Sequence, residues 1–343
     1  MSTGTTEDRA ARHAVRVWRG PLHGATWLVW RQHRWAARLL AVFVLLAAAG
    51  AVVLRARMAG YIDSHHIAGC SEISRLPACA GTQEAVTAFR AAYGPLIGTI
   101  TDVMVLLPAA AGMFAGAPLI ARELENGTAK LAWTQSVSPV RWFAAKCAVP
   151  LVLVLAAVSA LSALVTWCLA PAVDEVSGAY WYSTGTFNAL GPVPVAYCLL
   201  SVVIGVLAGL VLRRTVPAMA VTVLLTGLLA YAFDAVRPHL MATVTTRAAS
   251  DGTDASELPD DSWYQGGGLR TESGERLPAG SCSAGDGYAD CLRLHKVVGG
   301  YVDSHPAAHR WPLAWLESAL VTGAAAVTAV VLALVAARVL RRR

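Results

Sequence analysis

Lysine is scarce in this chain of 343 residues, and its positions exclude one class of function. None of the three lysines, Lys130, Lys146 and Lys296, follows a glycine. A phosphate-binding loop needs Gly-Lys-Ser or Gly-Lys-Thr, so the chain cannot bind ATP in that way. The Gly-x-Ser-x-Gly turn of hydrolases and the His-Glu-x-x-His helix of metalloproteases are also missing. The sequence therefore predicts no catalytic residue, no metal site and no cofactor in this chain.

Charged residues are scarce too, at 15% of the chain against about 25% in soluble proteins. The apolar residues form runs of about 18 or more, which is long enough to cross about 30 Å of hydrocarbon. We predict an all-α membrane protein with six transmembrane helices. The predicted spans, numbered 1 to 6 in chain order, are 35–54, 95–120, 143–170, 192–212, 216–236 and 313–340.

The distribution of basic residues predicts the orientation. With both termini in the cytoplasm, the inner segments hold 17 of the 28 basic residues and 4 of the 22 acidic ones. Short cytoplasmic loops carry such an excess of lysine and arginine, so we predict that both termini are cytoplasmic. The opposite end of each span is called the outer end below. No charged relay crosses the bilayer centre, so any uphill transport would need energy from a partner.

The chain divides into a basic arm, residues 1–34, and a six-span domain, residues 35–343. The arm interleaves arginine with tryptophan, which predicts an amphipathic helix at an anionic lipid surface. A nucleic-acid-binding arm is the alternative, and a neighbouring span favours lipid over nucleic acid. The outer loops are predicted at about 55–94, 171–191 and 237–312. We expect the last to form a small lobe with a mobile centre.

Four cysteines form two pairs with identical spacing in the predicted outer loops, Cys70 with Cys79 and Cys282 with Cys291. Disulfides persist outside the cytosol, so we predict two disulfide-clamped outer loops. A metal site is the alternative, because His65 and His66 neighbour Cys70, but neither loop easily assembles four ligands. The remaining cysteines are expected to pack as small apolar groups.

The loop between spans 2 and 3, residues 121–142, is the only richly polar segment in the first half of the chain after the opening arm. Gly127 allows the chain to leave a helix in the left-handed conformation, and Thr128 can cap a short second helix ending near Ser136. A helix lying across the end of two spans suits docking to another protein. An ordinary solvated loop that follows the positive-inside rule is the alternative.

Within the spans, Asp102 is the main candidate for the translocation pathway, because an ionisable group inside a membrane is costly. Its alternative is a structural carboxylate that lies at the outer headgroups or is bonded to a hydroxyl such as that of Thr99. Asp234 and Glu317, near outer ends, are expected to be structural. Spans 2 and 4 each carry a Gly-x-x-x-Gly spacing that allows close helix approach. Residues 60–65 recur almost unchanged as residues 300–305, and the sequence offers no explanation.

Three separated segments resemble one family. The run from Glu125 to Lys146 resembles the loop between spans 2 and 3 of type-2 ABC exporter permeases, particularly the actinobacterial branch. Residues 30–34 before span 1 and residues 301–317 entering span 6 resemble that branch as well. The resemblance implies a bacterial plasma-membrane permease that works as a homodimer or heterodimer. Its energy would come from a cytosolic ABC ATPase subunit that binds ATP and Mg.

The resemblance also implies which residues contact the ATPase. A coupling helix would lie at residues 125–136, and ATP-driven closure of the partner would switch a cavity between two permease copies. The implied ATPase-coupling residues are Arg122, Glu123, Glu125, Asn126, Gly127, Thr128, Leu131, Trp133, Gln135, Ser136, Arg141 and Lys146. The expected substrate is a lipid, peptide or drug-like molecule. The alternative function is a membrane receptor or immunity protein whose outer loops bind a ligand without transport.

Overall fold

The computed structural model describes residues 25–71, 77–127, 139–173, 176–248, 261–282 and 287–341. Six helices in this part of the chain are long and apolar enough to cross a membrane, which confirms the predicted number of spans. Span 1 is α1 (Ala25–His65), span 2 is α2 (Gln83–Ala111) continued by α3 (Ala117–Glu125), span 3 is α4 (Pro139–Leu169), span 4 is α6 (Val193–Leu212), span 5 is α7 (Thr215–Val236) and span 6 is α9 (Arg310–Arg341).

Span 4 is the centre of the bundle. It packs against spans 2, 3, 5 and 6, and most of its side chains are buried. The two Gly-x-x-x-Gly segments face each other where spans 2 and 4 cross. A methyl carbon on Gly205 would lie 2.6 Å from the carbonyl oxygen of Gly112, and one on Gly116 would lie 2.6 Å from that of Val202. The missing side chains therefore let the two backbones touch, and the segment of span 2 at this contact, Gly112–Gly116, is a π-helical turn.

Spans 1 and 2 extend well beyond the predicted boundaries at their outer ends. Span 1 continues to His65 and span 2 begins at Gln83, so most of the first outer loop is helical. The connection is closed by the disulfide between Cys70 and Cys79, and the rings of Tyr61, Phe89 and Tyr93 pack together beside it.

The described part of the N-terminal arm is not a separate helix. Helix α1 runs without a break for 41 residues, from Ala25 through span 1. At about 1.5 Å per residue it is about 60 Å long, twice the hydrocarbon thickness. Trp30 and Trp35 therefore lie on the inner end of the same helix, and residues 1–24 of the predicted amphipathic arm fall outside the described residues.

The large outer loop contains a β-sheet that the all-α prediction missed. In the described part of this loop, four antiparallel strands lie in the order β1-β4-β2-β3. They are β1 (Val244–Ala248), β2 (Trp263–Thr271), β3 (Arg276–Pro278) and β4 (Val297–His305), and the short helices α5 (Thr184–Ala189) and α8 (Tyr288–Leu294) complete the outer side. The predicted lobe is thus a folded sheet. Its centre, residues 249–260, lies outside the described residues.

Aromatic side chains join the sheet to the membrane helices. Trp181 is 1% exposed, and its indole N–H donates to the Asp261 carbonyl oxygen at 2.7 Å. Its ring meets Trp263 edge to face, and Tyr182 stacks on Trp263. Aromatic pairs of this kind add specific geometry to the burial of their surface. The sheet is therefore held against the outer ends of the spans.

Candidate coupling and translocation sites

Span 2 continues five residues past its predicted boundary at residue 120, and the chain leaves the helix at Gly127, as the sequence predicted. Helix α3 ends at Glu125, and the backbone N–H of Asn126 donates to the Arg122 carbonyl oxygen at 2.9 Å. Gly127 has φ of +70°, the left-handed conformation expected for a chain leaving a helix.

Glu125 is bonded within the chain. One carboxylate oxygen accepts the backbone N–H of Thr215 at 3.0 Å and the Thr215 hydroxyl at 2.8 Å. Thr215 is the first residue of span 5, and a carboxylate at a helix N-terminus satisfies free N–H groups there. The last side chain of span 2 therefore caps span 5.

Glu123 is also paired within the chain, because it forms a salt bridge with Lys146 on span 3. Both side chains are partly buried at the inner end of the bundle. Glu123 and Glu125 thus tie the inner end of span 2 to spans 3 and 5 respectively. The family resemblance implied that both carboxylates contact an ATPase. Nothing in the sequence indicated that they would bond to Lys146 and Thr215 instead.

Part of the predicted coupling loop lies outside the described residues. Arg122, Asn126 and Gly127, in the described first part of the loop, are exposed where a partner could reach them. The coupling residues outside the described part of the chain are Thr128, Leu131, Trp133, Gln135 and Ser136, together with the side chain of Arg141. Their role in coupling stays a prediction.

Asp102 lies on the exposed face of span 2, between its outer end and the glycine crossing. The hydroxyl of Thr99 donates its single hydrogen to the Pro95 carbonyl oxygen at 2.8 Å. An ionised carboxylate can only accept hydrogen bonds, so Thr99 does not serve as the donor to Asp102. The side chain therefore faces away from the fold of its own chain.

A buried ion-pair network, missed by the sequence analysis, joins the outer ends of spans 4, 5 and 6. Arg237 donates to Glu317 through Nε at 2.7 Å and Nη2 at 3.0 Å, and to Asp234 through Nη1 at 2.7 Å. Its Nη2 also donates to Asn188 at 2.6 Å, and the Tyr197 hydroxyl donates to Glu317 at 2.9 Å. The structural role expected for Asp234 and Glu317 is this pairing. The sequence signal that could have indicated a counter-ion for them was the basic residue just after span 5, Arg237.

A second buried polar contact joins the sheet to the end of span 5. His305, fully buried on β4, contacts the Pro238 carbonyl oxygen through Nε2 at 3.0 Å and His309 through Nδ1 at 3.1 Å. A carbonyl only accepts, so Nε2 carries the hydrogen and Nδ1 accepts from His309. Burial, with a contribution from His309, lowers the pKa of His305 below its ordinary value, although the bond to Pro238 opposes this.

The four cysteines pair as predicted, because Cys70 is bonded to Cys79 and Cys282 to Cys291. The Cys70 thiolate is therefore not available to a metal, and His65 stacks on Tyr61 instead. The remaining cysteines are free: Cys168 and Cys198 are buried and Cys147 is partly buried, as expected for small apolar groups.

An open groove of about 990 Å³ lies between spans 3, 4 and 6 on the outer half of the bundle. Its lining is mainly apolar, with Trp167, Trp311 and Trp315 at the outer end. The hydroxyl of Ser162 donates to the Gly191 carbonyl oxygen and that of Thr166 accepts the Gly191 N–H, so two of the lining hydroxyls are satisfied within the chain. The sequence analysis gave no indication of this groove.

The model of one protein family, described as ABC-2 membrane transporter related, matches residues 28–237, well over half of the chain. No curated protein and no solved structure matches the chain. The match covers spans 1 to 5 and the predicted coupling loop, and it ends at Arg237 before the sheet. Permeases of this kind are the membrane component of an ABC transporter and not its ATPase, which implies an ABC ATPase partner. The chain is a multi-pass membrane protein that belongs to the ABC-2 membrane transporter related family.

Proposed function

We propose that this chain is the permease subunit of an ATP-driven exporter in a bacterial plasma membrane. A separate cytosolic ATPase binds ATP and Mg and docks on the loop between spans 2 and 3. Two permease copies, identical or different, enclose a cavity that moves a lipid, peptide or drug-like molecule outward. Both termini lie in the cytoplasm.

The observation that carries this proposal is the pair of contacts flanking the coupling loop. Glu125 caps span 5 and Glu123 pairs with Lys146 on span 3, so both ends of the loop are bonded to neighbouring spans. A partner that displaced the loop would therefore move spans 2, 3 and 5 together. Rigid, discretely bonded elements of this kind can pass a local displacement to a distant part of a fold.

The position of Asp102 supports a second permease copy. A carboxylate that faces hydrocarbon is strongly disfavoured, and such groups normally face a protein partner or an aqueous cavity. Asp102 is exposed on the surface of a single chain, so its face of span 2 needs another cover. A second copy and the cavity between the two would supply it, and the carboxylate would then lie on the translocation pathway.

Two structural features favour an amphipathic substrate. The spans are almost free of charge, and the groove between spans 3, 4 and 6 is apolar along the outer half of the bundle. An apolar surface with scattered hydroxyls binds molecules by burial of hydrocarbon and few directional contacts. Lipids and apolar peptides or drugs have this chemistry, whereas sugars and small ions do not.

Charge reversal at Glu125 tests the coupling assignment. The full-length chain would be reconstituted with the ATPase that copurifies, and transport of fluorescent phosphatidylethanolamine, a lipidated peptide and a hydrophobic dye would be measured. We expect Glu125→Arg to abolish transport and substrate-stimulated ATP hydrolysis while membrane insertion is retained. Glu272→Arg, the same change at an exposed position in the turn between β2 and β3, is the matched control.

Two results would reject the proposal. Wild-type transport and ATPase stimulation in Glu125→Arg would contradict coupling through this junction. Labelling of Ser136→Cys by a membrane-impermeant reagent in intact cells would contradict the cytoplasmic location of the loop, with Glu272→Cys as the outer reference. Absence of any copurifying ATPase, together with specific ligand binding by the outer lobe, would favour a receptor or immunity protein.

A further inference from the structure

The inner end of span 1 carries a concentrated positive charge. Trp30, Arg31, Arg34 and Arg38 line a surface cavity of about 580 Å³ along one side of α1. Trp30, Arg34 and Arg38 are spaced four residues apart and Arg31 lies three before Arg34, so the three arginines share one helix face with Trp30 at its edge. The sequence contains no aspartate or glutamate between residues 9 and 62, so span 1 itself provides no carboxylate near this cavity.

Two of the guanidinium groups are held by the same aromatic ring. The Arg38 guanidinium carbon lies 4.7 Å from the centroid of the Trp35 ring, and that of Arg34 lies 5.8 Å from it. Within the described residues, neither Arg34 nor Arg38 is paired with a carboxylate. A planar guanidinium can stack on an aromatic ring and still direct its N–H groups at an anion.

The location of the cavity indicates which kind of anion would bind there. Exposed tryptophans mark the level of the lipid headgroups, and both Trp30 and Trp35 are exposed here. A phosphodiester at that level matches the two-pronged donor geometry of arginine. A nucleic acid would need an extended basic surface, whereas this patch is one short helix face joined to a membrane span.

We propose that Arg31, Arg34 and Arg38, together with Trp30 and Trp35, form a binding site for the headgroup of one anionic phospholipid. The phosphate is bound by guanidinium groups that Trp35 holds in place. The part of the acyl chains nearest the headgroup lies along the exposed apolar face of span 1. The assignment of this lipid to the inner leaflet rests on the orientation given in the proposed function. The site itself does not depend on transport.

Native mass spectrometry of the full-length protein, titrated with phosphatidylglycerol or phosphatidylcholine, tests the site. We expect tighter retention of phosphatidylglycerol by the wild-type protein and a several-fold loss of that preference in R34Q/R38Q. The double variant R213Q/R214Q removes the same charge from the same side of the membrane, at exposed positions after span 4, and is expected to retain the preference.

The conservative variant R34K/R38K separates a built site from diffuse attraction. Lysine keeps the charge but loses the planar fork and the stacking on Trp35, so we expect it to lose most of the preference. Wild-type preference in R34K/R38K, or an equal loss in R213Q/R214Q, would overturn the proposal in favour of general electrostatic attraction. Equal binding of both lipids by the wild-type protein would also overturn it. The measurement requires neither the ATPase nor a bilayer with two distinct leaflets, so an error in the exporter assignment would leave this result unaffected.

Discussion

Arg237 and Glu317 form a two-point ion pair at the outer end of the bundle, although they are 80 residues apart in the chain. Nε meets Oε2 at 2.7 Å and Nη2 meets Oε1 at 3.0 Å. Arg237 is 1% exposed and Glu317 0%, so water screens the pair very little. Because Arg237 follows span 5 and Glu317 lies on span 6, the pair fixes the relative position of these two helices.

Removal of one member of this pair should be strongly destabilising. We expect Arg237→Ala to lower the free energy of unfolding by about 3–5 kcal/mol, because Glu317 would remain buried without its counter-ion. Thermal unfolding in detergent, followed by tryptophan fluorescence, measures the effect. The double variant R237M/E317L should recover most of the loss, since it leaves no buried charge.

The exposed pair of Arg293 with Asp290 is the control for this experiment. Arg293→Ala should change stability by less than about 1 kcal/mol, because solvent-exposed ion pairs contribute little. Equal effects of Arg237→Ala and Arg293→Ala would show that the buried network does not hold the outer ends of the spans.

Enlargement of Gly205 should disrupt the crossing of spans 2 and 4. A methyl carbon there would lie 2.6 Å from the Gly112 carbonyl oxygen and 2.7 Å from the Ala117 nitrogen, so both contacts are with backbone. We expect overpacking in Gly205→Leu to lower the free energy of unfolding by about 1–3 kcal/mol or more. Gly50→Leu on span 1 is the control. A methyl carbon there would have no described atom within 4 Å apart from the adjoining helix backbone, so thermal unfolding should stay nearly unchanged.

Acidification should weaken the attachment of the outer sheet. Burial lowers the pKa of His305 in the folded protein. Below about pH 6.5 the histidine therefore binds a proton more readily in the unfolded chain than in the folded one. Stability should therefore fall as the pH drops below that value, and His305 should have no such effect above it. Protonation of Nδ1 would also remove the acceptor used by His309.

Hydrogen exchange of β4 at about pH 7.5 and about pH 5.5 measures this effect, since these values lie on either side of the ordinary histidine pKa. We expect faster opening of β4 at the lower pH in the wild-type protein. His305→Gln should show a smaller difference between the two conditions, whatever its stability at neutral pH. An identical pH dependence in both proteins would contradict the role given to His305.

Loss of the Cys282–Cys291 bond should loosen the sheet but not the membrane helices. A disulfide that closes a short loop typically contributes about 2–4 kcal/mol, mainly by restricting the unfolded chain. We expect Cys282→Ser to increase proteolysis of the outer lobe while the six spans stay protected. Cys147→Ser changes a free cysteine and is the control. Equal protease resistance of the two variants would contradict this expectation.

Several features of the fold were predictable because their signals are local. The spans depend on the length of apolar runs, and the turn at Gly127 depends on the conformational freedom of one residue. The disulfides followed from two pairs of cysteines with matching separation. The bonds of Glu123 to Lys146, of Glu125 to Thr215 and of Arg237 to Glu317 were not predictable, because each joins two different helices and no local pattern encodes which helices become neighbours. The contact of Arg237 with Asp234, three residues away, is the local part of that network.

The repeated segment separates local from tertiary effects most clearly. Residues 60–65 form the last turns of span 1, where Tyr61 stacks on His65 four residues later. Residues 300–305 have nearly the same sequence but form most of β4, where Tyr301 opposes Gly268 and His305 is buried. The conformation of this segment is therefore set by its neighbours: an apolar helix continues into the first copy, whereas two strands pair with the second.

The sequence by itself determined six helices long and apolar enough to cross a membrane, two disulfide-closed loops and the lack of a Gly-Lys-Ser or Gly-Lys-Thr phosphate-binding motif. These properties depend on hydrophobic length and on residue types along the chain, so they need no knowledge of packing. The tertiary structure alone decided that span 4 is central, that the last outer loop folds as a sheet and that Arg237 pairs with Glu317. Each of these depends on contacts between segments that are far apart in the chain. Such contacts stabilise the fold only after the helices and strands have packed together.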